Sequence, residues 1–159
     1  MNGLDLLGYV IQDAFWAAVA ATGFAILFNV PRRALPGCAL GAAIGHGTRA
    51  LLMQLGINIE VATLVGATVI GFLGMAFAQY FGAPTQIFTV SAAVTLVPGS
   101  FAYRTMIGIL RFSVADPASS APLLVDAASN GIRTAVILGA IAIGIAAPTL
   151  IFFRPKPVV

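Results

Sequence analysis

The sequence predicts an all-α polytopic membrane protein with five transmembrane helices, the fourth interrupted at Pro98-Gly99, and three observations carry that prediction. Of 159 residues, 60% are apolar and only 8% are charged, whereas soluble domains carry about 25% charged residues. The mean hydropathy is +1.02, so most of the exterior must face something other than water. Uncharged runs are long enough to cross a bilayer, which takes about 20 apolar residues per helix. The same counts exclude a disordered chain, an ordinary cytosolic enzyme and a disulfide scaffold, which one cysteine cannot build.

Residues 1–159 read as a single transmembrane domain. Leu4 to Phe28 supplies the first helix, with Asp13 inside it, and Asn29-Val30-Pro31-Arg32-Arg33 closes it. Ala18-Val19-Ala20 has the look of a cleavage site. No basic stretch precedes the apolar run, however, and more apolar sequence follows, so the run reads as a retained helix. Ala34 to Leu55 supplies a second helix, shorter and rich in glycine. From Val61 to Tyr103 no residue is charged, which is too long for one crossing. The turn Gly82-Ala83-Pro84 divides it, giving a third helix at Val61 to Tyr80 and a fourth at Thr85 to Phe112. Asp116-Pro117 then opens a polar, interfacial stretch, with Asp116 as N-cap and Pro117 at the first helical position. The last crossing runs from Ile132 to Phe153.

Charge sets the orientation. The net charge of +3 is spread over several apolar segments, whereas a nucleic-acid footprint needs clustering on one face. With five crossings, Arg32, Arg33, Arg154 and Lys156 share one side and Arg111 falls on the other. That pattern puts the first loop and the C-terminus in the cytoplasm and the N-terminus in the periplasm. With four crossings the two basic pairs would lie on opposite faces.

Gly37, Gly41 and Gly45 stand four apart on the second helix, and Ala67 with Gly71 and Ala140 with Gly144 repeat the spacing. Small residues at this spacing let helix backbones approach in lipid, so these positions read as helix packing. Ionisable residues inside a membrane are costly and tend to face a cavity or a partner. Asp13 is either close to the outer interface or turned toward such a partner. His46 and Arg49, three apart, share one helix face. The imidazole is either held in the packing or functional as a proton carrier, since histidine ordinarily titrates near neutrality. Arg133 reads as snorkelling to the headgroups. Glu60 after Asn58 reads as helix capping and dipole compensation, and Cys38 as apolar filler.

Pro98-Gly99-Ser100 admits two readings, a plain proline kink or a discontinuous helix. Discontinuous helices present bare backbone groups to substrate, their N-termini aimed at carboxylates. The second half-helix would begin at Ser100, with Arg104 four residues on and on the same face, a combination suited to a carboxylate. One histidine and one cysteine close no metal site. No phosphate loop, dinucleotide turn or nucleophile–base pair occurs either. Neither an enzyme nor a cofactor is expected, and transport would be driven by an ion gradient or by none.

Several segments together carry a resemblance. They are Gly23-Phe24-Ala25 through Phe28-Asn29-Val30-Pro31, Ala34-Leu35, Cys38-Ala39-Leu40, Ile44-Gly45-His46-Gly47-Thr48-Arg49, Asn58-Ile59-Glu60, Phe88-Thr89-Val90 and Pro98-Gly99-Ser100-Phe101-Ala102-Tyr103. In this order they resemble the threonine/serine exporter family nearly end to end, and in particular its small split-subunit, YjjB-like branch. Thr95 stands where relatives often carry another proline. The resemblance implies a multi-pass protein of the bacterial inner membrane that works with a larger YjjP-like subunit. It implies export of small carboxylates, threonine and serine or a succinate-type dicarboxylate, driven by the proton gradient.

By position, His46, Arg49 and Pro98 to Tyr103 carry the family's motifs. On this reading Gly99, Ser100, Tyr103 and Arg104 bind the carboxylate, and His46 and Arg49 contribute to the substrate pathway. Asp13 and His46 would carry protons. The rival readings are a scaffold that only stabilises its partner, and a channel.

Overall fold

The computed structural model describes residues 3–114 and 117–152. Among them the chain forms α1 (Gly3–Leu27), a 3-10 turn at Arg32–Ala34, α2 (Leu35–Gln54), α3 (Ile59–Phe81) and α4 (Thr85–Ala93). A second 3-10 turn at Val94–Leu96, α5 (Gly99–Val114) and α6 (Pro117–Phe152) complete it, with no strand. Two compact parts result, one built from Met1–Leu96 with Ala140–Val159, the other from Val97–Gly139.

The first three helices end by the same device. Asn29, Gly56 and Gly82 take the left-handed conformation, with φ of 59°, 86° and 60°. The residue after each then donates its N–H back into the last turn, Val30 to the Ala25 carbonyl, Ile57 to Leu52 and Ala83 to Ala78. This closure satisfies carbonyls that a helix end leaves without partners. Pro31 and Pro84 follow two of these ends and prevent the helix from resuming. At the start of α3, Asn58 serves through its backbone carbonyl, which accepts from Ala62 N–H at 2.9 Å. Its side chain makes no capping bond, contrary to the sequence reading.

The break in the fourth helix is present, and it falls one residue earlier than expected, α5 beginning at Gly99. The last helix differs more. No separate interfacial stretch precedes it, and α6 runs unbroken for 36 residues from Pro117. Nothing between Leu123 and Ile132 forces a turn, since Gly131 there lies against Thr105 rather than terminating a helix. The expected N-cap Asp116 and the basic residues Arg154 and Lys156 lie outside the described residues.

By length and apolarity, three segments can cross a membrane, Asp5–Leu27, Ile59–Phe81 and Ser120–Phe152, and a fourth if Thr85–Leu96 and Gly99–Val114 count as one broken crossing. The chain is therefore a polytopic membrane protein, but five apolar crossings are not reached. The shortfall is α2. Its 20 residues include four glycines, His46 and Arg49, which dilute its hydropathy below that of its neighbours.

Burial is inverted relative to a soluble fold. Ala21, Ala25, Ala42, Ala62, Ala67 and Ala92 are fully buried, while Phe15, Trp16, Leu27, Tyr80 and Ile151 are exposed. Lipid tails are as apolar as leucine, so close packing of small residues, not burial of large ones, brings such helices together. A Cβ at Gly37 would stand 2.8 Å from the Phe88 ring of α4, and one at Gly41 would lie 3.8 Å from Ala92. Gly45 meets Ile70 and the Gly66 carbonyl of α3, and Ala67 and Gly71 receive α6 at Gly144 and Pro148. Hydroxyls are satisfied inside their own helices: Thr22, Thr63, Thr68 and Thr89 each donate to the carbonyl four residues back.

Gly66→Ala would put a Cβ 2.7 Å from the Gly45 carbonyl oxygen. Overpacking of this kind costs about 1–3 kcal/mol, so the unfolding temperature of the detergent-solubilised protein should fall. Gly139→Ala, whose Cβ would meet nothing within 4 Å, should leave it unchanged or higher. A G66A protein as stable as the parent would contradict the α2–α3 approach.

Candidate functional site

The Gly45-His46-Gly47 sequence places one imidazole between two close helix contacts. Gly45 admits α3, as above. Gly47 admits α1, where a Cβ would lie 3.4 Å from the Ala14 Cβ and 3.7 Å from Val10. Beside that contact, Asp13 of α1 meets His46 of α2. The His46 Nδ1 and the Asp13 Oδ2 are 2.6 Å apart, a length typical of a charge-assisted bond. The two side chains keep 19% and 27% of their surface exposed, which leaves the pair half-buried but reachable. On the α1 side, Asp13 also lines a groove of about 240 Å³ with Tyr9, Gln12 and Trp16.

Arg49, one turn beyond His46, reaches a backbone group. Its Nη1 donates to the Leu96 carbonyl at 2.9 Å, at the end of the second 3-10 turn. The structure thus brings Asp13, which the sequence singled out separately, to the helix face of His46 and Arg49, and adds the Leu96 carbonyl, which it did not.

The second compact part carries a different set. Helices α5 and α6 form an antiparallel pair that closes on small residues: a Cβ at Gly108 would lie 2.8 Å from the Ala127 Cβ, and one at Gly131 3.3 Å from the Thr105 methyl. Arg133, exposed on α6, sets its guanidinium over the Phe101 ring, 5.8 Å from the centroid, a cation–π contact.

Beside this seam lies an open cleft of about 460 Å³ lined by Tyr103, Arg104, Arg111, Asp126 and Asn130 among others. Arg104 and Arg111 are seven residues apart, hence two turns along one face. Gly99 and Ser100 form the first turn of α5, exposed, and do not line the cleft. The sequence reading used Arg111 only to set the orientation and did not single out Asp126. The seven-residue spacing from Arg104 was the available signal for the first, and the approach at Gly108 brings the second.

Chemically, the cleft offers two guanidiniums, one carboxylate, a phenol and an amide. Guanidinium forks match carboxylates in geometry and charge, and the lone carboxylate can take an ammonium. The Asp13–His46 pair offers two groups that can exchange a proton across one short bond.

The family model described as Threonine/Serine exporter, ThrE, matches residues 13–151, from Asp13 itself to the last turn of α6. No solved structure matches the chain. The match covers most of the sequence, and the chain belongs to the threonine/serine exporter family.

The α1–α2 register that creates the pair is directly testable. Disulfides need Cβ atoms roughly 3.5–4.5 Å apart, and the Ala14 and Gly47 positions, at 3.4 Å, stand at the short edge of that range. In a Cys38→Ser background, the Ala14→Cys/Gly47→Cys double variant should close an intramolecular disulfide under mild oxidation, read by intact mass after alkylation. Ala14→Cys/Gly41→Cys should stay reduced, because Gly41 faces Ala92 and Phe77. Cross-linking of the second pair but not the first would contradict the register.

Proposed function

We propose that the chain is the small subunit of a secondary exporter for small carboxylates, completed by a larger YjjP-like membrane subunit and driven by the proton gradient. It would reside in the bacterial inner membrane with its N-terminus periplasmic and its C-terminus cytoplasmic. Membership of the exporter family supports transport. The observation that carries the substrate class is the cleft in which Arg104 and Arg111 stand together with Tyr103, Asp126 and Asn130. Arg104 would hold the substrate carboxylate beside Tyr103, while Gly99 and Ser100, which the sequence reading also placed there, stand outside the cleft. A second carboxylate, as in succinate, would use Arg111. An ammonium, as in threonine or serine, would use Asp126.

Five crossings are part of the proposal. Helix α2 is too polar to stand in lipid alone. Its 20 residues nevertheless span about 30 Å at 1.5 Å per residue, and its glycine face is covered by α3 and α4, with α1 against Gly47. His46 and Arg49 then lie in the protein's interior as part of the pathway. Asp13 and His46, already sharing a short bond, would take up and release the coupling proton.

The test is efflux of labelled succinate, threonine and serine from vesicles containing the chain and its partner. Hydrogen bonds to charged groups contribute about 1.5–3 kcal/mol, so Arg104→Ala should slow efflux roughly tenfold or more at unchanged membrane abundance. Asp13→Asn and His46→Gln should make the remaining efflux insensitive to an imposed proton gradient. Undiminished export by the Arg104→Ala variant would remove the carboxylate assignment. Full export by the partner alone would make the chain a scaffold, and failure to export against a gradient would make the pair a channel.

A further inference from the structure

Among the helix ends described, that of α4 is closed differently. Helices α1, α2 and α3 finish on a residue in the left-handed conformation, followed by a backbone bond back into the last turn. After α4 the chain continues as Val94–Leu96 in a 3-10 turn, then Val97 and Pro98, with no left-handed residue. Proline has no N–H to offer and disfavours a helical residue before it. In a continuous helix the Leu96 carbonyl would accept from the N–H of Ser100, but Ser100 already belongs to the first turn of α5. Leu96 has no exposed surface, so water does not replace the missing donor.

The donor comes from 47 positions away in the chain, as Arg49 Nη1 at 2.9 Å. A cation at the C-terminal end of a helix also opposes the partial negative charge that the aligned peptide dipoles leave there. Arg49 thus supplies what a glycine terminator and solvent supply elsewhere. It does so while standing on the helix that holds His46.

We infer that Arg49 is a positioning residue: its guanidinium caps the fourth helix at Leu96, where Pro98 interrupts it, and holds that end in place, rather than binding the substrate. Only the transport arm of the test rests on the exporter reading. The guanidinium spends a donor on backbone, and the carboxylate-binding task falls to Arg104 and Arg111 of the cleft. The Gly-His-Gly-Thr-Arg sequence then has two parts with separate tasks, a titratable pair at His46 and a structural clamp one turn later.

Amide hydrogen exchange of the full chain in lipid nanodiscs tests the clamp without any transport assay. Arg49→Met keeps bulk and removes every donor. Exchange at residues 94–97 should accelerate about tenfold or more, in line with the loss of a hydrogen bond from a charged donor, while α3 stays protected. Arg49→Lys, which restores a cationic donor, should bring exchange back to within about threefold of the parent. Unchanged exchange at 94–97 in Arg49→Met overturns the inference. So does acceleration spread equally over α1 to α3, or a lysine variant no better protected than the methionine one. If Arg49→Met does not fold, the lysine variant decides alone: parent-like protection at 94–97 supports the clamp, and selective loss there overturns it.

In vesicles, Arg49→Met should lower kcat with KM within about threefold of the parent, and Arg49→Lys should restore much of kcat, the pattern of an interaction that does not contribute to substrate binding. A raised KM at unchanged kcat would return Arg49 to the substrate site. Absence of any export by the parent pair would remove the exporter reading and leave the exchange result standing.

Discussion

A carbonyl in the interior of a membrane protein has no water to turn to, and whatever interrupts a helix there must supply the missing donor from within the chain. The Leu96 carbonyl is the point at which this constraint shapes the molecule. Pro98 stops α4, Arg49 of α2 provides the N–H, and a guanidinium that lipid would reject acquires an internal partner. Helix break and intramembrane arginine are each costly alone. Together each removes much of the other's cost.

That contact requires α2 to sit deep among its neighbours, and glycine makes this possible. Gly37, Gly41 and Gly45 let α4 and α3 approach one side, and Gly47 lets α1 approach another. The price is a helix too polar and too small in its side chains to register as a lipid-crossing segment. The same close approach of α1 aligns Asp13 with His46 at 2.6 Å. Packing and chemistry on α2 therefore have one origin. The second compact part repeats the principle, since Gly108 and Gly131 draw α5 and α6 together and the cleft lies alongside.

Much of this architecture was legible in the sequence because chain terminators act locally. Asn29 before Val30-Pro31, Gly82 before Ala83-Pro84, and Pro98-Gly99 mark where helices end with little regard to the rest of the fold. The crossing number was less legible: the sequence reading counted α2 as a crossing, but its four glycines, His46 and Arg49 leave it short of the apolarity that α1, α3 and α6 reach. Asp13, His46 and Arg49 could be singled out by their cost in lipid, but the meeting of Asp13 with His46 depends on how α1 and α2 approach each other, beside the Ala14–Gly47 contact. Arg49's partner was invisible for a simpler reason: a backbone carbonyl has no letter in the sequence. Arg111 and Asp126 look like ordinary helix-end charges until α5 and α6 are set side by side.

The central claim is that Arg49 satisfies a carbonyl that exists only because Pro98 breaks the helix. A double-mutant cycle on unfolding free energy in detergent, with Arg49→Met, Pro98→Ala and both together, measures that dependence directly. An unbroken helix would let the Ser100 N–H reach Leu96, so Arg49→Met should destabilise the Pro98→Ala background less than the parent, with a coupling of about 1 kcal/mol or more. Additive effects, within about 0.5 kcal/mol, would contradict it.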